Sequence, residues 1–337
     1  MPENYQCAPD EHVPVAPQPP PVLAAPPAPP PAPPPPYETV RAATFEPSKP
    51  ATIQQQVIPN AGGQVREGDP PANGYVAIID NAAAHFGVCE RDRLAWTSVR
   101  VSLTQQVLLA DGPKGPCECG AQVRTHVLAE KYKCRYTVNV SAAAPFASSC
   151  EASTPAQAGS GWNMTDGDCK YGYFTNNGSV CGTGGFGTQF GVTKTGDWIV
   201  GGISNQSVQE QLGLSYSTGT YGWLVRNGSV ITPPDPPDKP KSTAPRTALG
   251  VDRAGRLLML VVDGCEQNAG CKYKELGQTF YETAALMRKL GAYQAVMVDG
   301  GGSSTAVANH TVVNRPTDTD LWRFKVERRV TVVACVH

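Results

Sequence analysis

Two aspartates in this chain stand where chemistry could be done. Asp299 closes a run of small apolar residues in VMVDGGGSSTAV (296–307), and Gly300, Gly301 and Gly302 follow it, then Ser303, Ser304 and Thr305. Asp263 ends LLMLVVDG in the same way, an aspartate before a glycine. A positioned carboxyl group can serve as acid, base or nucleophile. Three successive glycines let backbone N–H groups approach a ligand with no Cβ in the way. The turn is therefore expected to form a concavity for an anion, to which the flanking hydroxyls add donors. A tight strand-to-strand turn with no ligand is the other reading of the same residues. The common phosphate and nucleophile motifs do not fit. No Lys-Ser/Thr follows the glycines, the residues after Ser304 read as strand and not helix, and Gly301 to Thr305 lacks the last glycine of a nucleophile elbow.

The elements that must position these residues can be read on either side of them. In KYKELGQTFYETAALMRKLG (272–291) the apolar positions Leu276, Phe280, Ala284, Met287 and Leu290 are spaced for one helical face. Gly291, after Arg288 and Lys289, stops that helix. LLMLVVD precedes it and AVMV follows, so strand, helix and strand make a βαβ unit with two neighbouring parallel strands. Both aspartates then fall at strand carboxyl ends, where parallel sheets present their ligands. Upstream, YVAIIDN (75–81), VRVSLTQQVLL (99–109) and CRYTVNV (134–140) read as strands. Hairpins are expected at 189–203, at 221–231 through Asn227-Gly228, and at 247–264.

At 337 residues the length suggests about two parts. Residues 17–36 hold 13 prolines in 20 positions, which predicts an extended polyproline II rod of about 60 Å. Residues 1–74 are expected to be a proline-rich arm, a spacer or a modified or partner-binding segment, with TIQQQVI its one strand-like run. No Ser or Thr lies between Val13 and Glu38, so glycans on the rod would have to be carried by hydroxyproline. Residues 75–337 are expected to form a single β-rich globular domain, mixed α/β or α+β, with the βαβ unit near its C-terminus.

Composition narrows the function. A formal charge of -1 with no basic block argues against nucleic-acid binding, and no apolar segment reaches the length of a membrane span. The chain opens without a cationic start and apolar run, so no signal peptide is expected within it. Eleven cysteines without paired Cys-x2-4-Cys spacing point to disulfides and not to a metal site, and no cofactor is expected. Asn139, Asn163, Asn177, Asn205, Asn227 and Asn309 head Asn-x-Ser/Thr sequons. Together these features predict a secreted, disulfide-bonded glycoprotein, with Cys7 the natural odd thiol.

RTALGVDRAGRLLMLVVDG, the helix, VMVDGGGSSTAV and the terminal VTVVACVH together resemble the phosphodiester glycosidase family. The resemblance spans about residues 110–337 and is strongest over 245–337, with Arg246-Thr247-Ala248 and Asp299 to Ser303 its most specific pieces. It implies hydrolysis of a sugar-1-phosphodiester of the N-acetylglucosamine-1-phospho type. It also implies roles: Arg246 would hold the diester phosphate, Gly300 to Gly302 with Ser303 would cradle phosphate or sugar, Ser304 and Asn139 would line the site, and Asp299 and Asp263 would be the catalytic carboxylates. Cysteine spacing similar to the family's implies Cys117–Cys169 and Cys134–Cys335 bridges. Cys265 and Cys271 would form a local bridge of this chain's own, and Cys150 and Cys181 complete the expected disulfide cysteines.

One part departs from the family. Its Asn-Gly-Gly-Phe-Phe motif keeps only Asn139 here, followed by Val140 and Ser141, with Phe146 displaced. The change creates the Asn139 sequon, so a glycan at the pocket mouth becomes an expectation, and residues 147–166 read as an insertion. Two functions stay open: a working glycosidase with a remodelled pocket, or a non-catalytic subunit of an extracellular fibre, wall or coat that assembles through its arm. A carbohydrate-binding module without turnover is a third.

Overall fold

In the strand Leu257–Val262 every residue is buried, and the six alternate between two cores. Leu257, Met259 and Val261 pack with Ile79, Leu249 and Trp198. Leu258, Leu260 and Val262 pack with Leu224, Ala284 and Met287. Successive side chains of a strand point to opposite faces, so an unbroken apolar run marks a sheet covered on both sides. The computed structural model describes residues 37–64, 71–84, 86–90, 123–140, 174–176, 178–181, 188–202, 206–232, 243–265, 276–319, 325–330 and 332–337. Pro34–His337 forms one compact, β-rich unit.

The central sheet has seven strands, in the order Ser229–Val230, Gly222–Arg226, Gln294–Met297, Arg246–Val251, Leu257–Val262, Gly74–Asp80 and Thr52–Ile58. Its pairings are antiparallel throughout. This corrects the expected βαβ unit. Leu257–Val262 and Gln294–Met297 do run in the same direction, but they are not neighbours, because Arg246–Val251 lies between them and pairs with both. Local pattern reports the return direction of the crossover; it does not report that the preceding hairpin strand has taken the adjacent place.

The helix Phe280–Lys289 covers one face. It starts later than its apolar spacing suggested because Thr279 caps it: the Thr279 hydroxyl accepts from the Glu282 N–H, and the Glu282 carboxylate accepts from the Thr279 N–H. That reciprocal pair is a capping box, and it excludes Leu276 from the helix. Gly250 lets the helix settle on the sheet, since a Cβ there would lie 2.7 Å from Met287 Cε.

The other face packs against two further sheets. A six-stranded sheet runs Glu38–Arg41, Asp197–Gly201, Thr188–Thr193, Leu214–Thr220, Phe174–Asn176 and Ser179–Cys181. A five-stranded sheet runs Thr311–Val312, Ala306–Ala308, Tyr136–Asn139, Val332–Val336 and Phe86–Glu90. Val40, Phe190 and Trp198 from the first, and Tyr136, Val138 and Val336 from the second, share one core with Ile79 and Leu249. Glu38–Arg41 and Thr52–Ile58, expected within the arm, are therefore strands of the folded unit. The polyproline stretch and the strand expected at 99–109 lie outside the described residues.

The expected hairpins form. Asn227 and Gly228 turn with φ of 52° and 76°, as their residue types suggest. The Cys134–Cys335 disulfide joins the Tyr136–Asn139 and Val332–Val336 region at its buried end, beside Leu128 and Val333.

Candidate active site at the end of the central sheet

Three strand ends of the central sheet meet at one edge. Asp263 follows Leu257–Val262, Asp299 lies just beyond Gln294–Met297, and Arg246 opens the antiparallel strand between them, opposite Val262. Adjacent strands lie about 4.8 Å apart, so the strands that carry the two carboxylates are about 10 Å apart with the arginine in the gap. Antiparallel insertion thus changes the expected geometry: the strand that opens with Arg246 runs between the two strands that end near the aspartates. The Arg246 guanidinium lies 4.5 Å from the centre of the Phe280 ring, and its Nε donates to the Gln278 carbonyl at 2.7 Å. Both contacts come from the start of the helix segment, so the helix orients the arginine.

Asp299 is half-buried and is fastened from two other sheet strands. The Tyr221 hydroxyl donates to its Oδ1 at 3.2 Å, and its N–H donates to the Val140 carbonyl at 3.1 Å. Asn139 does the rest. Its Nδ2 donates to the Asp299 carbonyl at 2.7 Å, while its Oδ1 accepts from Thr247 Oγ1 at 2.9 Å and from the Thr305 N–H at 3.0 Å. Asn139 is 0% exposed. Its amide nitrogen is committed inside the fold, so this folded chain has no room for a glycan on Asn139, which overturns that expectation. Asn139 also lines no surface; it pins the five-stranded sheet to the loop that bears Asp299. Val140, which replaces a motif glycine, turns its side chain into the core and keeps its N–H on Val332.

Each of the three glycines has its own reason. A Cβ at Gly300 would lie 2.7 Å from the Pro245 carbonyl oxygen. Gly301 has φ of 60°, the left-handed region that side chains disfavour. A Cβ at Gly302 would lie 2.4 Å from an Arg328 guanidinium nitrogen. The N–H groups of Gly301, Ser303 and Ser304 donate to Pro245, Gly300 and Gly301. Of the glycine amides expected to face a ligand, that of Gly301 is thus spent on closing the turn, together with those of Ser303 and Ser304. Ser303, Ser304 and Thr305 are also inside, at 0, 2 and 0% exposure, and their hydroxyl oxygens find no hydrogen-bond partner among the described residues.

Asp263 is 3% exposed. Its Oδ1 accepts from the Arg315 N–H at 2.9 Å and from Asn314 Nδ2 at 3.2 Å, and Asn314 also holds the Ser304 carbonyl and the Ala306 N–H. Burial pushes its carboxyl up to about 6, although the Arg315 and Asn314 hydrogen bonds, the Arg315 charge and the Tyr75 hydroxyl all act to lower it. Burial and the facing carboxylate in turn raise the Tyr75 hydroxyl.

The structure thus brings together Arg246, Asp263, Asp299, Asn139 and the glycine turn. Tyr221, Asn314, Arg315 and Arg328 join them without having been singled out in the sequence. Tyr221 had no local signal, because only the pairing of the strand that follows it with Gln294–Met297, and its own N–H on the Met297 carbonyl, bring it to Asp299. Arg328 had a faint one, as part of the charged terminal run KVERR. Of the remaining cysteines, Cys265 is disulfide-bonded; its expected partner Cys271, together with Cys117, Cys150 and Cys169, lies outside the described residues, as does the side chain of Cys181. Asn227 and Asn309 are exposed at left-handed turn positions, whereas Asn163, Asn177 and Asn205 are not among the described residues.

Residues 150–337 match the family described as phosphodiester glycosidase. The N-acetylglucosamine-1-phosphodiester alpha-N-acetylglucosaminidase of Bos taurus is 31% identical over 203 residues, covering 55% of this chain and 37% of that protein. The Homo sapiens protein of the same name is 30% identical over 201 residues, covering 54% of this chain and 37% of its own length. The matched part of the chain thus spans well under half of these relatives. A solved structure of the zebrafish N-acetylglucosamine-1-phosphodiester alpha-N-acetylglucosaminidase catalytic domain, auto-inhibited by its pro-peptide, is similar in fold. Its TM-score is 0.60 at 19% identity, over 90% of this chain and 88% of that one.

Proposed function

The chain belongs to the phosphodiester glycosidase family, and from that premise we propose that it hydrolyses a sugar-1-phosphodiester of the N-acetylglucosamine-1-phospho type at this sheet edge. One observation carries the reading: Arg246 stands between Asp263 and Asp299 at three adjoining strand ends. Cleavage of the bond between sugar C1 and the phosphate oxygen releases a phosphate monoester, which gains negative charge as it leaves. A guanidinium is suited to that charge because it stays protonated and presents a planar fork of donors.

The two carboxylates take different parts. Asp299 is the catalytic carboxylate, half-buried and held at Oδ1 by Tyr221. Asp263 is a positioning residue: it is nearly inaccessible, and its Oδ1 is spent on the 314–315 backbone and side chain. A non-catalytic fibre or coat subunit is not favoured by relatives that carry a glycosidase name. The test is hydrolysis of an N-acetylglucosamine-1-phosphodiester by the intact chain; activity left unchanged by Asp299→Asn would remove Asp299 from this role.

Secretion and N-glycosylation belong to the same proposal. They are supported by the buried Cys134–Cys335 disulfide, which an oxidising compartment favours, and by the exposed sequons at Asn227 and Asn309. Glycopeptide mass spectrometry of secreted protein should find glycans at those two sites and an unmodified Asn139. An extended arm remains the proposal for the proline-rich stretch, residues 17–36.

A further inference from the structure

Arg328 reaches the glycine turn from a segment that nothing in the proposed reaction has yet used. That segment is held on both sides of it. The Glu327 carboxylate accepts from the His126 N–H at 3.1 Å and meets His126 Nδ1 at 2.5 Å. Arg329 and Val330 pair with Arg124 and Val123, and Val330 is 0% exposed. Between these anchors the Arg328 guanidinium lies against Gly302: an ideal Cβ on that glycine would be 2.4 Å from Nη2, 2.8 Å from Cζ and 3.2 Å from Nε. At the other end of the turn, a Cβ on Gly300 would be 3.7 Å from Arg246 Cδ. Two arginines from distant parts of the chain thus bracket one three-glycine turn, which also follows directly on Asp299.

We propose that Arg328 is a second phosphate-binding residue of the site, acting with Arg246 as a two-arginine clamp that selects anionic over neutral glycosides. This inference rests on the phosphodiester reading above. A phosphodiester shares one negative charge over two non-bridging oxygens, and two guanidinium forks can each take one of them. Water adds its oxygen to sugar C1 and gives up one proton to the Asp299 carboxylate, the bond from C1 to the phosphate oxygen breaks, and the departing monoester carries the electron pair. The second arginine faces the charge that builds on that monoester. Gly302 belongs to the device, because any side chain there would displace the guanidinium.

The experiment compares the intact wild-type chain with Arg328→Gln, Arg328→Lys and Gly302→Ala. KM and kcat are measured on an N-acetylglucosamine-1-phosphodiester and on the neutral p-nitrophenyl N-acetyl-α-glucosaminide, and inorganic phosphate serves as competitor. Loss of a charge-assisted hydrogen bond predicts that Arg328→Gln weakens phosphate inhibition and raises the diester KM by about tenfold to a hundredfold. The preference for the diester over the neutral glycoside falls by a similar factor, and Arg328→Lys recovers part of it. Gly302→Ala, which keeps the arginine but moves it, reproduces the loss and decides the matter if Arg328→Gln does not fold. Diester KM and phosphate inhibition within twofold of wild type in a folded Arg328→Gln or Gly302→Ala overturn the clamp. If the wild-type chain turns over no diester, the reading of its function fails by itself, and calorimetry with inorganic phosphate then decides the clamp. Binding lost in the variants supports it; binding retained, or never present in the wild type, overturns it.

Discussion

Asp263 and Asp299 look alike in the sequence, each an aspartate before a glycine at the end of an apolar run, and the fold treats them oppositely. Asp299 is half-buried and tied by a phenol and by its own backbone. Asp263 is 3% exposed, and its Oδ1 is committed to a side-chain amide and a backbone N–H. One is left able to react while the other is used as a fastener. The difference comes from what lies outside each strand end. Beyond Leu257–Val262 the returning 314–315 segment closes over the carboxyl, and beyond Gln294–Met297 the glycine turn keeps the chain tight and out of the way.

The largest expected effect separates the two directly. Asp299→Asn should lower kcat/KM on an N-acetylglucosamine-1-phosphodiester by about 10²–10⁴-fold, the usual worth of a positioned acid or base, with the melting temperature nearly unchanged. Asp263→Ala should do the reverse. It strips the acceptor from Asn314 Nδ2 and the Arg315 N–H, and chemical denaturation should report a loss of about 2–4 kcal/mol. A mutant pair in which activity tracks Asp263 and stability tracks Asp299 would break the comparison.

Titration sharpens it. Because burial raises the Asp263 carboxyl from 3.8 to about 6, the folded chain binds that proton more tightly than the unfolded one. Its contribution to stability is full below the unfolded value and is lost as pH rises to about 6, beyond which it is flat. Over that window the loss attributable to Asp263 is on the order of 2–3 kcal/mol, seen as the difference between wild type and Asp263→Asn in denaturant midpoints at pH 4 and 7. The smallest effect belongs to Tyr221→Phe. Removing the donor to Asp299 Oδ1 should lower kcat by about two- to tenfold and leave KM close to that of the wild type, as read by steady-state kinetics.

Much of this was legible beforehand. Asn227-Gly228 announced its turn and Arg288-Lys289 before Gly291 announced the helix end, while the Thr279-to-Glu282 box that sets its start went unread because the apolar spacing runs on upstream to Leu276. The two strand-end aspartates were visible because a carboxylate after a buried apolar run is costly unless something receives it. Asn139 was misjudged for a physical reason. An Asn-Val-Ser triplet is the same three residues whether its amide faces water or three hydrogen-bond partners, and only the packed sheets say which.

By itself the sequence determined the local units: which runs are buried, where hairpins turn and where the helix ends. These follow from side-chain period, backbone freedom and capping chemistry, all of which act over a few residues. Tertiary structure alone decided that the Arg246 strand lies between those leading to the two acids, that Asp263 is buried while Asp299 is half-buried, and that Arg328 leans on Gly302. Such facts depend on strand order and on contacts such as Arg246 with Val262, Gly302 with Arg328 and Asn139 with Asp299, which lie far apart in the chain. Those contacts form only when burial of all the sheets is satisfied together, and no short-range pattern encodes that sum.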